Sequence, residues 1–226
     1  MANPTLSSDF LNYLASPRIS LDVASDIGLH LPSLTELSKE LGVSVASLRE
    51  QLEVAEAMGL VEVRPRTGIR RLPYSFLPAV RQSLSYAIRL DRANFDAFSE
   101  LRNQVEAAFW YQAVRLITLQ NQQTLQELVA SAWEKLRGNP IQIPHTEHRQ
   151  LHILIYSQLK NPFVHGILEA YWEAYEAVGL AMYADYKYLQ DVWQFHEQMV
   201  AAVCSGDYTA GYQALIKHMD LLYHRP

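Results

Sequence analysis

Eight histidines punctuate a chain of 226 residues, at positions 30, 145, 148, 152, 165, 196, 218 and 224. His148 and His152 stand four residues apart, so on one helix they share a face. That spacing suits two imidazoles meeting one metal ion. His196, in VWQFHEQMV, and His218, in LIKHMDLL, each fall in the middle of a helical pattern. A lone histidine in such a place is more often an ordinary core or surface residue, so spacing alone leaves these two open. Catalytic signatures are lacking: the sequence contains no HExxH and no GxSxG. Glu147 and Glu197 each neighbour a histidine, but successive side chains on a helix point in different directions. A metal-dependent hydrolase or lyase using the histidine cluster is therefore the lesser reading.

The elements that must carry these histidines are helical. Apolar periodicity predicts helices at about 78–90, 94–118, 121–137, 144–160, 162–183, 186–205 and 207–224. The breaks between them hold loop and cap chemistry: Asp91, Thr118 to Asn121, Gly138-Asn139-Pro140, Asn161-Pro162, Ala184-Asp185 and Gly206-Asp207. No strand pattern intervenes. An all-helical body of about seven helices is expected over 79–226, after a linker at 73–78 that carries two of the prolines in LPYSFLP.

The first 72 residues read differently. Leu6, Phe10, Leu11 and Leu14 fit a short helix ended by Pro17, with Ser7 or Ser8 as its cap; 18–30 is weakly patterned. Ser33 caps the next helix and Glu36 completes a capping box. Leu34, Leu37 and Leu41 form the apolar stripe, and Gly42 stops the helix. Ser44 caps a second helix running to about Met58, with Leu48, Leu52 and Ala55 inward. Residues 60–64 (LVEVR) alternate like a half-buried strand, Pro65 to Gly68 turn, and IRRL returns. The fold class is mainly α: a winged helix-turn-helix followed by a helical bundle.

In such a head the second helix enters the major groove of DNA with its N-terminal residues nearest the bases, here Ser44, Val45, Ala46, Ser47 and Arg49. Arg64, Arg66 and Arg70, with Thr67 and Gly68 at the turn, are placed to meet phosphates or the minor groove. A helical hairpin that packs against protein instead remains the alternative from pattern alone.

The stretch LPSLTELSKELGVSVASLREQLEVAEAMGLVEVRPRTG resembles the DNA-binding domain of the GntR family of bacterial transcription regulators. The matching positions are Leu31-Pro32-Ser33, Glu36-Leu37, Leu41-Gly42-Val43-Ser44, Leu48-Arg49-Glu50, Leu52, Gly59-Leu60-Val61 and Gly68. Two reading positions depart: Thr35 stands where relatives usually carry Arg, and Val45-Ala46-Ser47 where they carry Arg-Thr-Pro. The resemblance implies DNA binding through Ser33, Thr35 and the residues named above, at an operator unlike the usual half-site. Val45 and Ala46 suit thymine methyl groups.

The body resembles the FCD effector domain of the FadR subgroup. QLH (150–152) followed by Asn161-Pro162, and HEQMVAAVCSGDYTAGYQALIKHM (196–219), carry that likeness. It implies that His152, His196 and His218 are metal ligands and that His148 takes the place of the family's Asp. Four imidazoles favour a borderline divalent ion, Zn²⁺ or Ni²⁺; the other reading is a site that has lost its metal and keeps polar histidines. LRNQVE (101–106) resembles the family's Leu-Arg-x-x-Leu-Glu, which makes Arg102 the candidate that grips the carboxylate of a small organic acid. A surface ion pair between Arg102 and Glu106 competes with that role. Phe109, Trp110 and Tyr111 narrow the pocket or belong to core or dimer surface. The implied protein is a homodimeric regulator, a repressor by expectation, on a palindromic operator.

Bulk properties agree with that class. The net charge of −5 gives phosphates no general attraction. The head itself carries seven Lys/Arg against nine Asp/Glu up to residue 76, so its affinity must come from local arginines. One cysteine, Cys204, rules out an intrachain disulfide and fits a reducing cytoplasm. No signal-peptide pattern and no apolar run of membrane-spanning length appear. Replacing Arg66 and Arg70 with Ala is expected to weaken binding to all DNA sequences alike. The slope of log affinity against log salt should fall by about two phosphate contacts in a fluorescence-anisotropy titration.

Overall fold

A computed structural model of the chain describes residues 9–16, 30–65, 67–178 and 185–223. It divides into two compact units, residues 1–79 and 80–226.

In the first unit, α1 (Asp9–Ala15), α2 (Leu34–Leu41) and α3 (Val45–Ala57) precede β1 (Val61–Arg64) and β2 (Gly68–Arg71). The expected Ser7 and Ser8 cap, the weak segment at 18–29 and Arg66 lie outside the described residues. The Ser33 hydroxyl accepts from the Glu36 backbone N–H, and the Glu36 carboxylate accepts from the Ser33 N–H at 2.8 Å. Both orphan donors at the start of α2 are thereby satisfied. Gly42 ends the helix at φ 68, a left-handed conformation that costs a side-chain residue about 1 kcal/mol or more. Two residues later the Ser44 hydroxyl accepts from the Ser47 N–H and starts α3. The sharp turn between α2 and α3 thus follows from three local choices: a glycine stop, one spacer and a serine cap.

β1 and β2 are antiparallel, with Val61 opposite Arg71 and Arg64 opposite Gly68. Gly68 has φ 83, which lets the wing close tightly. His30 bridges to Arg70, and the Leu31 N–H donates to the Ile69 carbonyl, so the chain entering α2 is stitched to the wing. Phe10, Leu14, Leu37, Leu48, Leu52, Ala55, Val61 and Ile69 form one core.

The second unit is helical throughout its described residues: α4 (Leu77–Leu90, which begins in the last residues of the first unit), α5 (Ala93–Val114), α6 (Leu119–Arg137), α7 (His145–Tyr156), α8 (Pro162–Ala177), α9 (Tyr186–Ser205) and α10 (Tyr208–Tyr223). Helix α4 starts inside the stretch expected as linker. Helix α5 ends four residues earlier than its periodicity predicts, because Thr118 is extended (ψ 163) to cap α6 through a capping box with Asn121. Helix α7 also ends four residues early. Asn161 precedes Pro162 and is extended, and its side chain caps α8 through the N–H groups of Phe163 and Val164. At Thr118 the following helix's cap claims a residue that periodicity assigns to the preceding one, whereas α7 closes in tight turns before Asn161, with the Ser157 N–H donating to the Leu154 carbonyl and the Leu159 N–H to the Tyr156 carbonyl.

Trp110 is fully buried and its indole N–H donates to the Tyr208 carbonyl at 2.9 Å, tying α5 to α10. Tyr111 is part-exposed and stacks on Tyr212. Of the three aromatics that follow the LRNQVE stretch, Trp110 is therefore core. Leu37→Ala in the head should cost about 2–5 kcal/mol through lost burial and the cavity left behind. Ser33→Ala should cost about 1 kcal/mol. Urea denaturation followed by circular dichroism on both variants measures the difference.

Candidate metal and effector site

His148 and His152 project from one face of α7, His196 from the middle of α9 and His218 from α10. Each of the four offers a ring nitrogen, and these atoms all lie within 4.8 Å of one another. The rings of His196 and His218 are 4.4 Å apart between centroids, and those of His148 and His196 4.6 Å. His152 Nε2 lies 3.1 Å from His196 Nε2. His152, His196 and His218 have no exposed surface; His148 is partly exposed, yet its Nε2 is shielded.

This burial has an electrostatic consequence. Desolvation holds the imidazoles of His148, His196 and His218 well below the ordinary histidine range, and neighbouring rings and Arg102 push in the same direction. The rings are therefore neutral at neutral pH and keep their lone pairs. They also lack partners: His148 Nε2, His196 Nδ1 and both nitrogens of His218 make no hydrogen bond. Orphaned polar atoms at this depth are costly unless something satisfies them. Donors around an ion at 2.0–2.1 Å stand roughly 3–4 Å apart. Four convergent imidazoles, three of them with an unsatisfied ring nitrogen, fit a divalent ion.

Behind the histidines is a charged layer on α5. Arg102 is 1% exposed and Glu106 not at all. Arg102 Nη2 lies 3.1 Å from Glu106 Oε1, and its Nη1 donates to the Asn103 side-chain oxygen at 3.0 Å. Glu106 Oε1 also accepts from His152 Nδ1 at 3.0 Å. Burial works against the Glu106 carboxylate, but Arg102 and His152 outweigh it and keep the group ionised. The guanidinium carbon lies 4.5 Å from the ring centre of Tyr171 and 5.5 Å from that of Trp172. Of the competing expectations for Arg102, the ion pair with Glu106 exists, but it is buried rather than at the surface. Arg102 Nε and Nη2 still lack an aligned acceptor.

The sequence reading missed three contributors. Glu106 was seen only as a partner for Arg102, and its bond to His152 spans 46 residues. Asn103 carries no motif. Trp172 carries no motif either, yet its ring lies 4.7 Å from His148 and its indole N–H is buried without an acceptor. Glu147, once a potential general base, is engaged: Lys135 Nζ lies 2.6 Å away and Ser131 donates to it at 3.0 Å.

On the head, Thr35, Ser44, Ala46, Arg49, Arg64, Thr67 and Gly68 are exposed, and Val45, Ser47 and Arg70 are partly so. The hydroxyls of Ser33 and Ser44 act as helix caps, which occupies part of their bonding capacity. Arg64 pairs with Glu62 at 2.9 Å in solvent, a contact worth well under ~1 kcal/mol and easily exchanged for a phosphate.

Comparison with known proteins follows the same division. Residues 24–70 match the family described as bacterial regulatory proteins, gntR family, and residues 97–221 match the FCD domain. An Escherichia coli K12 protein described as the uncharacterized HTH-type transcriptional regulator YieP is 26% identical over 206 residues, covering 85% of each chain. Among solved structures, Streptococcus agalactiae GntR aligns with a TM-score of 0.65 at 19% identity over 95% of both chains. Lar, described as controlling the expression of the Listeria monocytogenes agr system, aligns at 0.50 and 14% over 98% of this chain and 99% of its own. At these identities the structural likeness speaks to the fold.

Removing Arg102 strands a carboxylate in the protein interior. Arg102→Met should destabilise the helical unit by about 3–5 kcal/mol, far more than a surface ion pair would. Thermal unfolding of the variant beside the parent chain measures it.

Proposed function

This chain belongs to the GntR regulators that carry an FCD domain, and from that premise we propose that its helical unit senses a small organic acid through a divalent metal ion. It is a DNA-binding transcription regulator with an effector-binding domain, not an enzyme. The observation that carries the proposal is the convergence of His148, His152, His196 and His218 within 4.8 Å. Four imidazoles with no carboxylate among them favour zinc or nickel over a harder ion. A bound ion supplies a Lewis-acid anchor for one oxygen of the acid.

The protein's own groups do the rest. Arg102 offers Nε and Nη2 without aligned acceptors, and a carboxylate is the planar acceptor that a guanidinium edge fits. Trp172 adds an indole N–H without an acceptor, 5.5 Å from the guanidinium between ring centre and Cζ. Burial excludes water and strengthens both contacts. Neutral histidines leave the site more positive than a carboxylate ligand would, which favours an anionic effector.

The reading extends to a homodimer on a palindromic operator in the cytoplasm, acting as a repressor. The exposed Ser44 and Ala46 at the start of α3, with Arg49 and Arg64 exposed nearby in sequence, support the DNA contact in this reading. No described helix is long and apolar enough to cross a membrane. Two identical heads read two half-sites at fixed spacing, so an acid that binds one arrangement better shifts operator affinity. Linkage then requires DNA to alter acid affinity by the same factor.

Two outcomes are expected. Chelator-treated protein should gain stability on adding zinc, by up to about 2.7 kcal/mol at a hundredfold excess over Kd, and His196→Ala should lose that gain. In gel-shift titrations of metal-loaded protein against operator enriched from random DNA, one small carboxylate should change affinity at least fivefold. Unchanged DNA affinity with every acid that binds would remove the sensor reading.

A further inference from the structure

Glu106 stands outside the histidine cluster, yet one of its atoms reaches both halves of the site. Oε1 accepts from His152 Nδ1 at 3.0 Å and lies 3.1 Å from Arg102 Nη2. A carboxylate has no proton to give. The hydrogen bond therefore assigns the proton to Nδ1 and turns the Nε2 lone pair toward the other rings, where His196 Nε2 is 3.1 Å away. His196 Nδ1 and both nitrogens of His218 have no such partner.

Glu106 is itself held from two directions. Arg102 pins its side chain from one helical turn earlier on α5. Its backbone carbonyl accepts from the Tyr156 hydroxyl at 2.9 Å, and Tyr156 is one turn after His152 on α7. His152 and Tyr156 thus grip the same residue, which fixes the α7 register against α5. The chain of contacts runs Arg102, Glu106, His152, and then the cluster.

We propose that Glu106 is a positioning residue: it sets the tautomer and aim of His152 as a metal ligand, and, by sharing Oε1 with Arg102, couples the metal site to the acid that Arg102 receives. The inference rests on the metal and acid reading above. An acid that draws Arg102 toward itself leaves the Glu106 charge more fully on His152 and makes its Nε2 a stronger donor. Metal and acid should therefore bind with positive cooperativity, part of which passes through Glu106.

The test uses the full chain and three proteins: wild type, Glu106→Gln and Tyr156→Phe. Nitrogen-15 spectra of the histidine rings in metal-free protein read the tautomer directly. His152 should be protonated at Nδ1 in the wild type and in Tyr156→Phe, and mixed in Glu106→Gln, where an amide can also donate. Zinc affinity, by competition with a chromophoric chelator, should fall roughly 10–100-fold in Glu106→Gln and stay within about twofold in Tyr156→Phe, which removes only the second α5–α7 bond. The Co²⁺ absorption spectrum should shift in Glu106→Gln alone. Zinc affinity and spectrum unchanged in Glu106→Gln overturn the inference. So does an equal loss in Tyr156→Phe, because Glu106 would then act only through helix packing. A wild type that takes up no zinc at all instead fails the reading on which the inference stands.

Discussion

A buried charge must be answered where it lies, and in this protein the Glu106 carboxylate is the charge the helical unit is arranged around. Leaving an ion unpaired in the interior costs several kcal/mol, on the order of the whole stability of a domain. Arg102 and His152 answer it from two helices, and neither has a better partner. Because Arg102 is anchored there through Nη2, its Nε, which has no acceptor, faces a fixed direction. Because His152 is anchored there, its other nitrogen does too. The core of the helical unit is apolar, with Trp110, Leu151, Ile155, Tyr156, Trp193, Met199 and Leu215 all buried.

Beside this arrangement His148, His196 and His218 are neutral and keep unsatisfied ring nitrogens. An ordinary core would replace such groups by leucine or satisfy each with a carbonyl. Here His218 has neither nitrogen bonded, and it faces His196 across 4.4 Å between ring centres. The aromatic wall of Trp172 and Trp193 excludes solvent without offering acceptors. The fold accepts a local cost at the place where a ligand returns it, the general pattern of functional sites.

The head obeys a simpler logic. Its helices start and stop on short-range chemistry: Ser33 with Glu36, Gly42, Ser44 with Ser47. Its core is the apolar stripe of each element folded onto the others. Residues free of that core, among them Thr35, Ala46 and Arg49, are exposed where a partner surface would meet them. Among the candidate DNA-contacting residues, Ser33 and Ser44 also cap helices, so changes there cost stability, whereas Thr35, Ala46 and Arg49 lie exposed outside the core.

What sequence determined by itself was therefore whatever depends on neighbours within a turn or two. The capping box, the glycine stop, the alternation of the wing and the His148/His152 face were legible because their physics is local. The helical end at Val114 departs from periodicity because the cap of α6 claims Thr118, and α7 closes at Tyr156 in tight turns that its apolar pattern does not record. The family likeness placed His196 and His218 beside the pair, but only tertiary structure brings them together across 44 residues and more. It alone decided that Arg102 is buried, that Glu106 serves His152, and that Trp172 turns an unmet N–H beside the site. These are contacts between elements far apart in the chain. Their energy arises from shared burial, which no periodicity within one helix records.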